Sequence, residues 1–361
     1  MANLLSDLRR RGVSVWLDDL HRAALLDGTL TSLMRQRSVT GVTSNPAIFA
    51  RSIIGSPAYD DQLKELRRRG VSVDEARRAL TTWDVRAACD LFRALYEQTD
   101  DGLVSIEVDP RFAYDPDATL ADARALWWQV DRPNLLVKIP ATRQSLPAIA
   151  ACLAEGISVN VTLIFSAQRY AEVFDTFVDG MTRAAEAGHD LRRIASVASL
   201  FVSRVDTAVD QLLQLSGHPG LRGRAGLANA RRAAGILAER IQSADWGELR
   251  AAGARPQRLL WASTGVKDPA YDATRYLSGL AVAGTINTMP LATLEAAAAR
   301  HAAPTPDEAW PDPGTELRSL TEAGVELEAV MTQLEIDGVE AFSQAWSSLG
   351  EAIARRLVPE S

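Results

Sequence analysis

Eight short, β-branched apolar runs, each followed by a stretch of helical period, predict an α/β protein folded as a (β/α)8 TIM barrel with additional C-terminal helices. Polar residues close almost every run, as in barrels whose βα loops gather a site at the C-terminal ends of the strands. The first run is VSVWLD (13–18), ending in Asp18; the second is VTGVTS (39–44), running into Asn45 and Pro46. The stretch after it is long enough for two or three helices, among them 74–98. VSIEVD (104–109) precedes a helical pattern over 117–130, LLVKIP (135–140) one over 144–154, and ISVNVTL (157–163) one over 167–187. IASVASLF (194–201) precedes 202–215 and 225–243, and RLLWAST (258–264) and GTINTM (284–289) complete the set. The pair Trp127 and Trp128 falls within a helical pattern and reads as helix packing.

Residues 290–361 read as helices after the last strand, interrupted by the Pro-rich break APTPDEAWPDPG (303–314). A tail of that size is small for a separate domain, so the expectation is one barrel domain over 1–361, with strands from about 13 to 289 and the tail packed on the barrel. The chain of 361 residues is 47% hydrophobic and 24% charged, which excludes disorder as its main state. A chain this long builds a core without disulfides or structural metal. Cys89 and Cys152 form no CxxC and read as small buried apolar residues. The opening MANLLSDLRRRG has no long apolar segment, and no run approaches the roughly 20 residues of a membrane span, so the expected location is cytoplasmic. Net charge is -7 and the Arg-rich pieces lie among acidic neighbours, which disfavours nucleic acid as a partner. His21, His189, His218 and His301 are scattered as surface or cap residues, so no metal site and no cofactor are expected.

Of 39 basic residues only Lys64, Lys138 and Lys267 are lysines. Lysine can be deprotonated to a nucleophilic amine and arginine cannot. Lys64 lies in the polar helical pattern DQLKELRRR and reads as surface, whereas Lys138 sits among Leu135, Leu136, Val137 and Ile139. Burial there favours the neutral amine, which attacks carbonyls to form a Schiff base. A buried ion pair with Glu107 or Asp18 is the other reading of the same residue. Asp18 and Asp109 read either as helix N-caps or as proton carriers, and Asn45 either as a turn residue or as a ligand to substrate. Asn160 and Thr162 alternate in an apolar strand, so they share a face that needs polar partners. Two anion candidates follow: Arg204, just beyond Ser199 in SLFVSR, and Ser263, Gly265 and Lys267 in STGVKDP after strand 7.

The motifs GVTSNPAIF, VSIEVDPRFAYD, NLLVKIPAT, ISVNVTLIFS and SVASLFVSR, in this order on successive strands, closely resemble the transaldolase family in the longer form found in actinobacteria and cyanobacteria. The resemblance runs from VSVWLDDL to GTINTMP. It implies a metal-independent, class I aldolase-like enzyme of the pentose phosphate pathway. Such an enzyme moves a dihydroxyacetone unit from sedoheptulose 7-phosphate to glyceraldehyde 3-phosphate, giving erythrose 4-phosphate and fructose 6-phosphate. By this resemblance Lys138 is the Schiff-base lysine, Asp18 the acid/base at the sugar C4 hydroxyl, and Glu107 with Thr162 the holders of a catalytic water. Asn45 and Asn160 bind hydroxyls of the three-carbon unit, Ser199 and Phe201 line the same pocket, and Arg204 binds the phosphate.

The sequence departs from the family's best-studied branch after strand 7, where that branch has an arginine and this chain has Lys267. Lys267 takes the second phosphate contact in this reading, and whether Ser263 also reaches it stays open. Two other functions compete. One is a fructose 6-phosphate aldolase-like lyase, whose members tend to carry Tyr at the position of Phe201. The other is a noncatalytic sugar-phosphate-binding barrel that keeps the phosphate contacts and uses the lysine in an ion pair. The expected partners are sugar phosphates, with neither nucleic acid nor membrane, and the chain is either a monomer or a homodimer.

Overall fold

The computed structural model describes residues 3–99, 101–301 and 312–358. Eight parallel strands close into a barrel in chain order: β1 Ser14–Leu17, β2 Val39–Val42, β3 Val104–Glu107, β4 Leu135–Pro140, β5 Val159–Ile164, β6 Ser196–Phe201, β7 Arg258–Ala262 and β8 Ile286–Met289. Each predicted run holds one strand. Several runs lose their last residues from the sheet, as at Asp18, Ser44 and Ser263.

Period-two alternation sorts the strand residues into two apolar layers. Val15, Leu17, Val137, Ile139, Val159 and Val161 face the surrounding helices, while Trp16, Leu136, Val197, Leu260 and Ile286 belong to the cluster that fills the barrel. Trp16 is fully buried and its indole N–H donates to Asp101 at 2.7 Å. Its ring lies against the backbone of Gly41, where a Cβ would come within 2.5 Å of the indole. Only glycine allows β1 and β2 to pack around that ring.

The β2–β3 connection carries three helices, Pro46–Gly55, Asp60–Arg68 and Val73–Gln98. The last begins with a capping box between Ser72 and Glu75, and Pro46 occupies the first turn of the first. The repeat weakens after β7, where a four-residue helix, Arg275–Ser278, stands in place of a full-length one. Pro269 and Gly279 bracket that segment and it lacks a run of apolar residues at three-to-four spacing. The Trp pair also divides: Trp127 packs against the core, but Trp128 is 76% exposed. Neighbouring helical residues point about 100° apart, so both could not face inward.

Most of the Pro-rich break lies outside the described residues. Beyond it, helices Pro313–Glu322 and Leu327–Leu357 return to the barrel. Arg356 holds the end of the second against the β2–β3 connection, donating to the Ile53 carbonyl and pairing with Asp60. At Gly338 a Cβ would lie 3.1 Å from Leu163, so this long helix passes close over the end of β5. Phe342, one turn later, is thereby set over the strand ends.

Candidate active site

Register brings three polar side chains to one level of the barrel: Glu107 pairs with Lys138 across β3–β4, and Lys138 with Asn160 across β4–β5. Paired residues of a parallel sheet point to the same face. The Lys138 ammonium, 5% exposed, donates to the Ser44 carbonyl at 3.2 Å and to Glu107 Oε2 at 3.3 Å, with the Phe342 ring 5.5 Å away. The ion pair weighed as an alternative for Lys138 is therefore present. The other Glu107 oxygen, Oε1, is buried with no partner among the described residues. Burial pushes the Glu107 carboxyl up to about 7, against the pull of Lys138 and with a small push from Asp18.

Asp18 follows β1 and accepts a 2.7 Å hydrogen bond from Thr43, whose hydroxyl also meets Thr288 at 2.8 Å. Its other oxygen has no hydrogen-bond partner among the described residues, and His21 rather than Asp18 caps the next helix. Asp109 does serve a turn, accepting from the Arg111 backbone and pairing with the Arg111 guanidinium. Asn45 caps the helix Pro46–Gly55 through its Oδ1, 3.0 Å from the Ile48 N–H, which leaves its amide NH2 at the cavity wall.

A cavity of about 350 Å³ opens above Lys138, lined in part by Asp18, Asn45, Thr162, Ser199, Phe201 and Phe342. Thr162 reaches it with a hydroxyl that has no partner among the described residues. Two expected site residues sit deeper. Asn160 is fully buried, donating to Ser105 at 3.0 Å and accepting from Ser199 at 2.7 Å, and neither it nor Glu107 lines the cavity. Of four non-glycine residues at positive φ among the described residues, Ser263 at 54° lines the cavity just past β7 and Leu163 at 58° follows Thr162 where the β5 register shifts, while Ser38 and Asp131 end helices elsewhere. Such strain, costing on the order of 1–3 kcal/mol per residue, collects at functional sites.

Arg204, Ser263 and Lys267 line the same cavity. The Arg204 guanidinium stacks over Phe201 at 5.4 Å and makes no hydrogen bond or ion pair among the described residues; burial lowers its pKa and Asp18 opposes that. A half-buried cation without an anion is ready for one. Lys267 is exposed and likewise unpaired among the described residues, while Ser263 shares a 2.9 Å contact with Ser203. Eight lining residues escaped the sequence reading, among them Thr43, Arg51, Thr288 and Phe342. Arg51 lies three and four residues beyond Ile48 and Ala47, so helical spacing from the Asn45 turn would have found it. Phe342 carried no such signal.

Cys89 and Cys152 are buried free thiols, Lys64 is exposed beside Asp61, and no helix among the described residues is long and apolar enough to cross a membrane. Among the described residues no three or more His, Cys, Asp or Glu side chains gather as a metal site.

Comparison with known proteins assigns the chain to a family. The family model described as Transaldolase/Fructose-6-phosphate aldolase matches residues 15–353. A protein named Transaldolase from Acidothermus cellulolyticus is 52% identical over 364 residues, covering 99% of this chain and 98% of that protein. Another of that name, from Thermobifida fusca, is 51% identical, covering 99% of each chain. One from Mycolicibacterium smegmatis is 50% identical, covering 98% of this chain and 97% of its own. From β1 to the C-terminal helix, this chain belongs to the transaldolase/fructose-6-phosphate aldolase family.

Proposed function

We infer that this chain is a transaldolase that carries a dihydroxyacetone unit as a Schiff base on Lys138. It takes the unit from sedoheptulose 7-phosphate and passes it to glyceraldehyde 3-phosphate, within the pentose phosphate pathway. The observation that carries the reading is one buried amine, bonded to a carboxyl near neutral pKa, at the floor of a cavity that also holds an unpaired guanidinium.

Glu107 as carboxylate takes a proton from the Lys138 ammonium, and the free amine attacks C2 of the ketose. The carbinolamine hydroxyl then takes that proton back from Glu107 and leaves as water while the nitrogen lone pair closes the imine. Thr162 and the unpartnered Glu107 Oε1 are the groups that hold this water. Asp18, oriented by Thr43, removes the C4 hydroxyl proton; the C3–C4 electron pair flows into the iminium and the aldose phosphate departs. The acceptor aldehyde enters, the steps reverse, and Asp18 returns its proton to the new hydroxyl. Ser199 keeps Asn160 in place, Asn45 offers its NH2 to a substrate hydroxyl, and Arg204, with Lys267, binds the phosphate.

Phe201, packed on Phe165 at 5.0 Å and under Arg204, favours transfer over simple cleavage of fructose 6-phosphate. A coupled assay separates the two: transfer needs acceptor aldehyde, whereas a lyase releases dihydroxyacetone without it. We also take the chain as one domain, because its last helix supplies Phe342 to the cavity wall. Free buried thiols accord with a cytoplasmic setting.

A further inference from the structure

Imine formation releases one water, and imine hydrolysis consumes one. A phosphorylated ketose bonded through C2 to Lys138, with its phosphate toward Arg204, lies along the cavity that leads to solvent. Water made beneath it needs another way out. A second cavity, of about 240 Å³, reaches Glu107 from a different side. It lies between the start of helix Val73–Gln98, the end of β3 and the C-terminal helix, and Glu107 lines this cavity while it does not line the substrate cavity.

The second cavity runs from an exposed rim at Asp74, Glu75 and Arg111 to a buried inner wall that includes Thr81 and Leu126. Its walls are fixed by ion pairs. Arg78 pairs with Asp122, Asp122 accepts from the Asp109 backbone at 2.8 Å, and Arg111 chelates Asp109. Arg77, buried and bonded to Asp74, stacks 4.4 Å from Trp346 of the C-terminal helix. Each of these guanidinium groups already has a carboxylate partner. Four buried polar atoms of the cavity's lining residues have no hydrogen-bond partner among the described residues, Glu107 Oε1, Arg77 Nε, Arg78 Nη1 and Trp346 Nε1, and polar atoms of this kind hold water. Glu107 therefore stands as the partition between two cavities, touching Lys138 through one oxygen.

We propose that this rear cavity is the path by which water leaves and re-enters the imine chemistry while substrate fills the front. The carbinolamine hydroxyl, protonated by Glu107, departs past Oε1 into the rear cavity, and Glu107 is left as carboxylate. In hydrolysis water returns by the same path, gives a proton to Glu107 and adds its oxygen to C2. The proposal rests on Lys138 being the imine lysine.

Filling the rear cavity tests it. Thr81→Phe and, separately, Leu126→Trp add bulk from two different walls, and neither residue belongs to the proposed catalytic set. Any variant that keeps the wild-type melting temperature is mixed with fructose 6-phosphate or with dihydroxyacetone, and imine formation is followed by rapid quench into borohydride. Dihydroxyacetone lacks the phosphorylated arm and leaves the front open. The expected result is imine formation slowed about fivefold or more with fructose 6-phosphate and unchanged with dihydroxyacetone. Equal slowing with both substrates, or with neither, overturns the route. Wild-type trapping distinguishes the two levels of the argument: label absent from Lys138 defeats the imine reading itself, whereas label present with no substrate-dependent slowing defeats only the rear path.

Discussion

Glu107→Gln keeps the shape of the side chain and removes its proton. The rise of the Glu107 carboxyl from 4.5 to about 7 corresponds to about 3 kcal/mol in favour of the neutral acid over the carboxylate. A group at 7 is about nine-tenths protonated at pH 6 and about one-tenth at pH 8. If Glu107 is the acid that expels water from the carbinolamine, that step falls about tenfold across this range, and Glu107→Gln lowers it by about 10²–10⁴ and flattens the profile. The assay is single-turnover trapping of saturating dihydroxyacetone with cyanoborohydride between pH 5.5 and 8.5, intervals of about half a unit resolving the inflection. Stability supplies an independent reading. The folded state holds a proton on Glu107 that the unfolded chain gives up above about 4.5, so this group's contribution to stability falls as pH rises from about 4.5 to 7. Glu107→Gln loses that slope in urea unfolding. An inflection near 7 that persists in Glu107→Gln, or a rate within about threefold of wild type, would refute the assignment.

Other substitutions separate phosphate binding, proton transfer and fold. Arg204→Ala removes an unpaired cation and raises KM for fructose 6-phosphate by roughly one to two decades, a loss of about 1.5–3 kcal/mol, while dihydroxyacetone reacts as before. Lys267→Ala costs less, since an exposed ammonium acts as a point charge; a change within about twofold would make Lys267 ordinary surface. Asp18→Asn still forms the imine with dihydroxyacetone but cleaves the C3–C4 bond about 10²–10⁴ more slowly, measured by release of aldose phosphate. Gly41→Ala drives a methyl into the Trp16 indole and costs about 3 kcal/mol or more by urea unfolding; an unchanged midpoint would mean that Trp16 can move aside.

The barrel was legible because each strand is a compact β-branched run and the helices between them keep their period. Where the period fails, after β7, the sequence overcalls: the chain makes four helical residues there, since Pro269 and Gly279 leave no uninterrupted face. Lys138 stood out chemically, as one of three lysines and the one set among apolar neighbours. Asn45 had two readings and both have a physical basis, because its carbonyl caps a helix while its NH2 stays free. The depth of Asn160 and Glu107 was not legible; alternation gives the face a residue occupies but not which neighbour covers it. Phe342 is separated from Lys138 by a long stretch of sequence and meets it only through the path of the last helix over β5. No local pattern encodes such a contact.

Borohydride reduction in the presence of fructose 6-phosphate, followed by peptide mass spectrometry, tests the Schiff base on Lys138 itself. A reduced three-carbon adduct is expected on Lys138 and none on Lys64 or Lys267, with Lys138→Arg unlabelled and inactive because guanidinium forms no imine. A label on another lysine, or an active enzyme that takes no label, would contradict it.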